Sequence, residues 1–343
     1  MRIAVLGAGA WGTALAQVLS MKGHQTCLWT WQVDHASRMS AARTNEFLPD
    51  IDLPTELTIT SDLPEALAGV ELIVLAVPSV AMRATFRATL PFVSPNTGVV
   101  CASKGIEQDT LHLMSEVVED EQQKASRQPY LPFAVLSGPS FAREVARKVP
   151  TNLVAASKDA AFGLKVQHIF SMPWLRVYTS DDPVGVEIGG ALKNVIAVAA
   201  GACDGLGLGH NTRAALITRG IAEMARLVTA KHGSILTLAG LAGIGDLVLT
   251  CTGELSRNRT LGFKIGAGES VAQALASSDG VSEGYVSAKS AHELALALGV
   301  ELPICEAVFS VLYGGKSAAE ALSDLLGRPL RAEWETDPSG SGH

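Results

Sequence analysis

Lys193 stands in the middle of an apolar stretch, and packing alone explains it poorly. Residues 184–205 read VGVEIGGALKNVIAVAAGACDG, apolar or small almost throughout, with Glu187, Lys193 and Asn194 well inside. A helix of that composition is normally buried. An ammonium buried without a partner is costly, and burial drives its pKa down. A polar trio in such a helix therefore suggests a site. A lone lysine would more simply be read as reaching the surface along its stem. Two other features weigh against that reading: a glycine motif at the N-terminus and a Ser256-Arg257-Asn258 cluster.

The glycine motif is Gly7-Ala8-Gly9-Ala10-Trp11-Gly12, a G-x-G-x-x-G pattern between strand-like RIAVL and helix-like TALAQVL. That context makes it a dinucleotide-binding turn rather than an ordinary glycine-rich loop. Gly7 permits the tight turn, Gly9 lets a pyrophosphate approach the backbone, and Gly12 lets the helix pack on the sheet. The helix N-terminus adds free N–H groups and partial positive charge. After the second strand the chain reads Trp29-Thr30-Trp31-Gln32, and the first acid is Asp34. No carboxylate stands where it would bond the ribose 2′-hydroxyl of NAD or repel the 2′-phosphate of NADP. His35 and Arg38 are the nearest basic residues, so the sequence is compatible with either cofactor. Trp31 is placed to stack on an adenine, or simply to cap the sheet edge.

Three further segments have the composition of site loops. Ser103-Lys104-Gly105 and Ser137-Gly138-Pro139-Ser140 each follow an apolar strand, where ligands lie in open α/β sheets. Taken singly, each would pass for a turn. The third runs from Ala242-Gly243-Ile244-Gly245-Asp246 to Ser256-Arg257-Asn258. Hydroxyl, guanidinium and amide donors within three residues suit a phosphate, which arginine binds bidentately. Ser256 also reads as a helix N-cap, and both readings can hold together.

These residues need a scaffold to bring them together. At 343 residues the chain is long for one core, so two domains are expected. Short apolar runs at Arg2–Leu6, Gln25–Thr30, Leu57–Thr60, Leu72–Val77, Gly98–Ala102 and Phe133–Leu136 alternate with helical segments such as Trp11–Lys22, Val80–Thr89, Thr110–Gln122 and Phe141–Arg147. Leu153–Ser157 and Leu175–Thr179 extend the series. The pattern predicts an α/β domain with a Rossmann-type, doubly wound parallel sheet over residues 1–181. Asp181-Asp182-Pro183 is a helix-start signal, and beyond it strand-like runs disappear. Residues 182–330 are expected to form an all-helical domain, and 331–343 a loose tail.

Composition narrows the function. A hydrophobic share of 48% and a charged share of 18% describe a well-packed globular protein. A net charge of −7 argues against nucleic acid as a partner, so any anionic ligand must be held by local positive charge. The five cysteines are scattered, with no CxxC pair, as in a reduced cytosolic protein. No cleavable signal-peptide pattern, no membrane span and no metal-ligand spacing are expected.

The segments GAGAWGTALA, SKGIE, SGPSFA, GGALKNVIAVAAG, NTRAALITRG, LAGIGDLVLTCTGELSRNRTLG and VSEGY, in this order, closely resemble bacterial NAD(P)-dependent glycerol-3-phosphate dehydrogenase. The match runs from residue 2 to about residue 326. It implies reversible reduction of dihydroxyacetone phosphate to sn-glycerol 3-phosphate, the glycerophospholipid backbone, in a cytoplasmic homodimer using NADPH or NADH. By position it implies that Lys193 is the general acid/base. Lys104, Gly138, Ser140, Lys193, Asp246, Ser256, Arg257 and Asn258 fall on substrate positions. Ala10, Trp11, Trp31, Lys104, Ala142, Arg257, Val281 and Glu283 fall on cofactor positions, beside the turn glycines Gly7, Gly9 and Gly12. Trp31-Gln32 departs from the basic or histidine residues that many members carry there.

The chemistry suits these residues, because the alkoxide that forms during ketone reduction needs a proton. A lysine with a pKa lowered by burial, or by a neighbour such as Lys104, can donate it near neutral pH. Asn194 and Asp246 are candidates to orient Lys193 or the substrate hydroxyls. Two other readings compete. A dehydrogenase for an unphosphorylated hydroxyacid would share the two-domain plan, but Lys104 and Ser256-Arg257-Asn258 favour a phosphate. A dinucleotide sensor without turnover would have no need of Lys193, Lys104 and Arg257 together.

Overall fold

The computed structural model describes residues 1–277, 282–330 and 332–333. Val281 and most of the tail expected from residue 331 lie outside the described residues. Eight strands form one sheet: β1 (Arg2–Leu6), β2 (Gln25–Trp29), β3 (Thr58–Thr60), β4 (Leu72–Leu75), β5 (Gly98–Cys101), β6 (Phe133–Ser137), β7 (Thr151–Ala156) and β8 (Leu175–Ser180). Their order is β3-β2-β1-β4-β5-β6-β7-β8. The six strands β1–β6 are parallel, in the doubly wound arrangement. β4 and β5 are buried at every residue, because helices cover both faces of the sheet.

The expectation of a wholly parallel sheet is corrected at β7. It pairs antiparallel to β6, with Val135 opposite Ala156, and β8 then runs parallel to β7. Only the short helix Ala142–Ala146 lies between β6 and β7. A helix of that length cannot carry the chain back to the starting edge of the sheet, as a parallel crossover requires. Three helices on this domain were not expected: Val33–Ala42, Leu63–Leu67 and Ala160–Phe170. Another begins later than expected, at Met114 rather than Thr110. Leu111 takes a left-handed φ of 59°, and Ile106 bridges to Leu113, so the chain turns once before the helix starts.

From Pro183 the chain is helical. The long helix Pro183–Gly205 begins where Asp182 accepts a hydrogen bond from the Gly185 amide at 3.1 Å. Among the described residues it is the one helix long and apolar enough to cross a membrane, yet 89% of its apolar window is buried inside the protein. The helices His210–Ala230, Asp246–Thr252, Arg257–Gly266, Glu283–Leu298 and Pro303–Leu312 surround it.

The tightest of these contacts is with Arg257–Gly266. Gly201 and Gly205 on one helix, and Gly262 and Gly266 on the other, are each four residues apart and so share a face. An ideal Cβ on Gly262 would lie 1.9 Å from the Val198 carbonyl oxygen, and one on Gly201 would lie 1.9 Å from that of Arg259. The backbones touch, and that contact draws Ser256-Arg257-Asn258 onto the long helix. Gly262→Ala should therefore destabilise the protein by about 3 kcal/mol through overpacking, read as a lower thermal midpoint. Unchanged stability would show that the two helices are free to separate.

Candidate active site

Asp246 is the centre of the site. It opens the helix Asp246–Thr252 directly after a wide π-type turn, Leu241–Gly245. That turn lies hard against the long helix, where a Cβ on Gly189 would come within 2.5 Å of the Ala242 carbonyl oxygen. The close approach carries the Asp246 carboxylate, 1% exposed, to the Lys193 ammonium.

Each carboxylate oxygen of Asp246 accepts from a different lysine. Lys193 Nζ donates to Oδ1 at 2.5 Å and to Thr250 Oγ1 at 2.9 Å. Lys104 Nζ donates to Oδ2 at 2.7 Å and lies 3.5 Å from the Gly138 carbonyl. Lys104 comes from the loop after β5 in the sheet domain, whereas Lys193 belongs to the helical domain. Ser140 Oγ donates to the same Gly138 carbonyl at 3.2 Å. Gly138 takes a φ of 132°, and a Cβ there would sit 3.1 Å from the Asn152 carbonyl oxygen.

Burial pushes the Lys193 pKa down to about 8, and the Lys104 charge adds to that fall while Asp246 opposes it. Burial on its own would raise the pKa of Asp246, but the two ammonium groups hold it below the ordinary carboxylate range. Two cations on one anion leave the cluster with a net positive charge. In a buried site that charge attracts an anionic substrate much more strongly than it would in water.

The Ser256-Arg257-Asn258 turn adjoins this cluster. Ser256 caps the helix Arg257–Gly266 by accepting from the Arg259 amide at 3.2 Å. Asn258 Nδ2 donates to Asn194 Oδ1 at 2.8 Å, next to Lys193, and its Oδ1 accepts from Ser282 Oγ and the Gly284 amide. Asn194 thus ties the turn to the long helix, and of the two candidates it is Asp246 that takes the Lys193 ammonium. Glu283 accepts from the Ser79 amide at 3.2 Å and from Ser79 Oγ at 2.8 Å, linking this region to the loop after β4. Burial raises the Glu283 pKa, and the nearby Arg257 charge works against that rise.

On the sheet side, Gly7 has a φ of 113° and lies against the Ala76 carbonyl, while Gly12 lies against the Gly7 carbonyl. Around a Cβ built on Gly9 there is nothing within 4 Å, so the loop presents an open backbone face to a pyrophosphate. Ala10 and Trp11 begin the helix that follows, and Ala142 begins the short helix packed beside it. These residues fit a dinucleotide. Trp31 is 74% exposed and so does not cap the sheet edge. His35 is buried beside Asn45 and Thr30, and Arg38 pairs with Glu46 at 2.9 Å.

The structure brings Lys104, Gly138, Ser140, Lys193 and Asp246 into one cluster, with Ser256, Arg257, Asn258 and Glu283 adjoining it. Thr250 was missed. Its signal was its position four residues after Asp246, on the same helix face. Ser79 and Ser115 were also missed, and as lone serines they carried no signal. Among the described residues no group of three or more His, Cys, Asp or Glu could hold a metal ion.

A Rossmann-type sheet with an open glycine turn, joined to a helical domain that supplies a buried lysine, defines a two-domain nicotinamide-dinucleotide-dependent oxidoreductase. The chain belongs to the NAD-dependent glycerol-3-phosphate dehydrogenase family, whose N-terminal model matches residues 2–163 and whose C-terminal model matches residues 182–323. It is 52% identical over 97% of its length to "Glycerol-3-phosphate dehydrogenase [NAD(P)+]" of Geobacter sulfurreducens, covering 98% of that protein. Identity to the protein of the same name from Koribacter versatilis is 49%, over 97% of this chain and 98% of that one. A glycerol-3-phosphate dehydrogenase crystal structure from Coxiella burnetii superposes with a TM-score of 0.90 at 39% identity, over 95% of this chain and 98% of that one.

Removing Asp246 would leave two facing ammonium groups without their counter-ion. Asp246→Asn should lower stability by about 3 kcal/mol at neutral pH. Adding Lys193→Met to that variant should recover most of the loss, because one uncompensated charge is gone. A double-mutant cycle in urea measures this coupling, and strict additivity would contradict it.

Proposed function

We infer that this chain catalyses the reversible, NAD(P)H-dependent reduction of dihydroxyacetone phosphate to sn-glycerol 3-phosphate. The observation that carries the reading is the pair of lysines from two domains on the two oxygens of buried Asp246. It lies beside the Ser256-Arg257-Asn258 turn. The names of the relatives point to the same reaction.

When bound, the dinucleotide supplies the hydride that goes to the ketone carbon. The chain's own groups do the rest. Lys193, with a pKa near 8, gives its proton to the oxygen that becomes the alkoxide. Asp246 and Thr250 hold the ammonium in place before transfer. Lys104 adds a second positive charge facing the same oxygen-rich region, and Gly138 and Ser140 shape the loop beside it. Arg257 and the N-terminus of its helix suit the phosphate. Asn258 fixes that turn against Asn194 and so sets the spacing between phosphate and ketone. Gly7, Gly9, Ala10, Trp11, Gly12, Trp31, Ala142, Val281 and Glu283 form the cofactor side of this reading.

The same reading divides the chain at residues 181/182. It also extends to a cytoplasmic homodimer, and the five unpaired cysteines suit a reducing compartment. Sedimentation tests the dimer.

The first test is oxidation of NADPH, and separately of NADH, on adding dihydroxyacetone phosphate. Rapid oxidation supports the reading, and the ratio of rates measures cofactor preference. No oxidation of either, with dinucleotide still bound, overturns it. Lys193→Ala should abolish turnover while leaving dinucleotide affinity intact. The proton donor must be protonated for reduction, so that rate should fall as pH rises through about 8, and oxidation of the alcohol should rise over the same interval. A flat profile in both directions would assign the proton to another group. Arg257→Ala should raise KM for dihydroxyacetone phosphate by roughly tenfold or more. An unchanged KM would remove Arg257 from phosphate binding.

A further inference from the structure

Glu187 is the third polar residue of the long helix, and the reaction as derived does not use it. It is 5% exposed and lies six residues before Lys193, or roughly 9 Å along the axis. Its partner is in the other domain. Oε1 accepts from the Ser115 amide at 2.8 Å, and Oε2 accepts from Ser115 Oγ at 2.5 Å. Ser115 lies in the first turn of Met114–Lys124, where backbone N–H groups have no partner within the helix. One carboxylate of the helical domain therefore grips the start of a helix in the sheet domain at two points.

The face between Glu187 and Lys193 lies flush against the sheet domain. A Cβ on Gly190 would be in ordinary contact with the Lys104 stem and Ser137 Oγ, at 3.4 and 3.5 Å. The hydride donor is carried by the sheet domain, and the proton donor by this helix. Their separation depends on how the two domains seat. Lys104 and Lys193 can meet on Asp246 only when the long helix sits at this height.

We propose that Glu187, through its two hydrogen bonds to Ser115, is a positioning residue that sets the long helix, and hence Lys193, against the nucleotide-binding domain. The proposal rests on the reading of Lys193 as proton donor. Glu116 and Lys231, which pair with each other at 2.5 Å, are the charged groups beside it, and the Cys101 thiol is also close. Burial raises the Glu187 pKa to about 7, and the Ser115 bonds oppose the rise. A glutamine preserves both contacts, because its oxygen accepts from the amide and its NH2 donates to the hydroxyl. An alanine preserves neither.

The test is steady-state kinetics on Glu187→Ala, Glu187→Gln and Ser115→Ala, with dinucleotide affinity measured separately by fluorescence. Glu187→Ala should lower kcat by about tenfold or more, since a misplacement near 1 Å costs up to ~100-fold. Its dinucleotide affinity should stay within about twofold, because the glycine turn is untouched. Glu187→Gln should keep kcat within about threefold. Equal losses in the alanine and glutamine variants, or a normal kcat in the alanine variant, would overturn the proposal. If Glu187→Ala fails to fold, Ser115→Ala decides, as it removes one bond and leaves the carboxylate. A several-fold loss in kcat at unchanged dinucleotide affinity supports the clamp, and an unchanged kcat rejects it. Lys193→Ala, assayed alongside, separates the two readings. Activity there would displace Lys193 as the proton donor, while the contrast between Glu187→Ala and Glu187→Gln would still report on the clamp.

Discussion

A single buried carboxylate holding one ammonium group from each domain is the constraint on which this site depends. Asp246 is almost wholly enclosed, and its two oxygens are taken by Lys104 and Lys193. An anion so buried is stable only because both cations are present, and the cations are tolerated only because the anion is. The arrangement therefore couples local folding to domain seating. It also leaves a surplus positive charge that suits an anionic ligand. The overall charge of the chain is negative, so attraction for an anion comes from this local surplus and not from the protein's general field.

Enclosure is what lowers the Lys193 pKa, and glycine contributes to the enclosure. Gly201, Gly205, Gly262 and Gly266 bring two helix backbones into contact, and Gly189 lets the turn before Asp246 press on the same helix. Larger residues at those points would hold the neighbouring helices away and admit water to the lysine. With water excluded, desolvation outweighs the pull of Asp246, and the pKa falls to about 8. Packing and acid strength are thus one property of the long helix.

Two of the polar contacts between the domains share one design. Glu187 and Glu283, both on the helical side, each accept from the amide and the hydroxyl of a single serine in the sheet domain. Such contacts are directional, so they fix an orientation that apolar packing alone would leave loose. The open glycine turn lies in the sheet domain, and these two carboxylates tie the helical domain to that same unit.

The sequence by itself determined the local parts. Lys193 could be read as a site residue because one charge in an apolar helix conflicts with burial, and that conflict is visible in one dimension. The glycine turn was legible because its spacing sits between a strand and a helix, and β1–β6 were legible from their apolar runs. Ser256-Arg257-Asn258 was legible as three polar donors in succession, and family resemblance in the ordered motifs added the role of Asp246. What only the tertiary structure decided was pairing. Asp246 lies 53 residues from Lys193, and Ser115 lies 72 from Glu187, so neither contact leaves a periodic trace. The helix Val33–Ala42 buries only His35, Ala36 and Met39, too narrow an apolar stripe to be recognised. The reversal at β7 was hidden because the residues of a strand alternate in the same way whichever direction it runs. A carboxylate finds its lysines, and a strand its direction, only when the chain has closed around them.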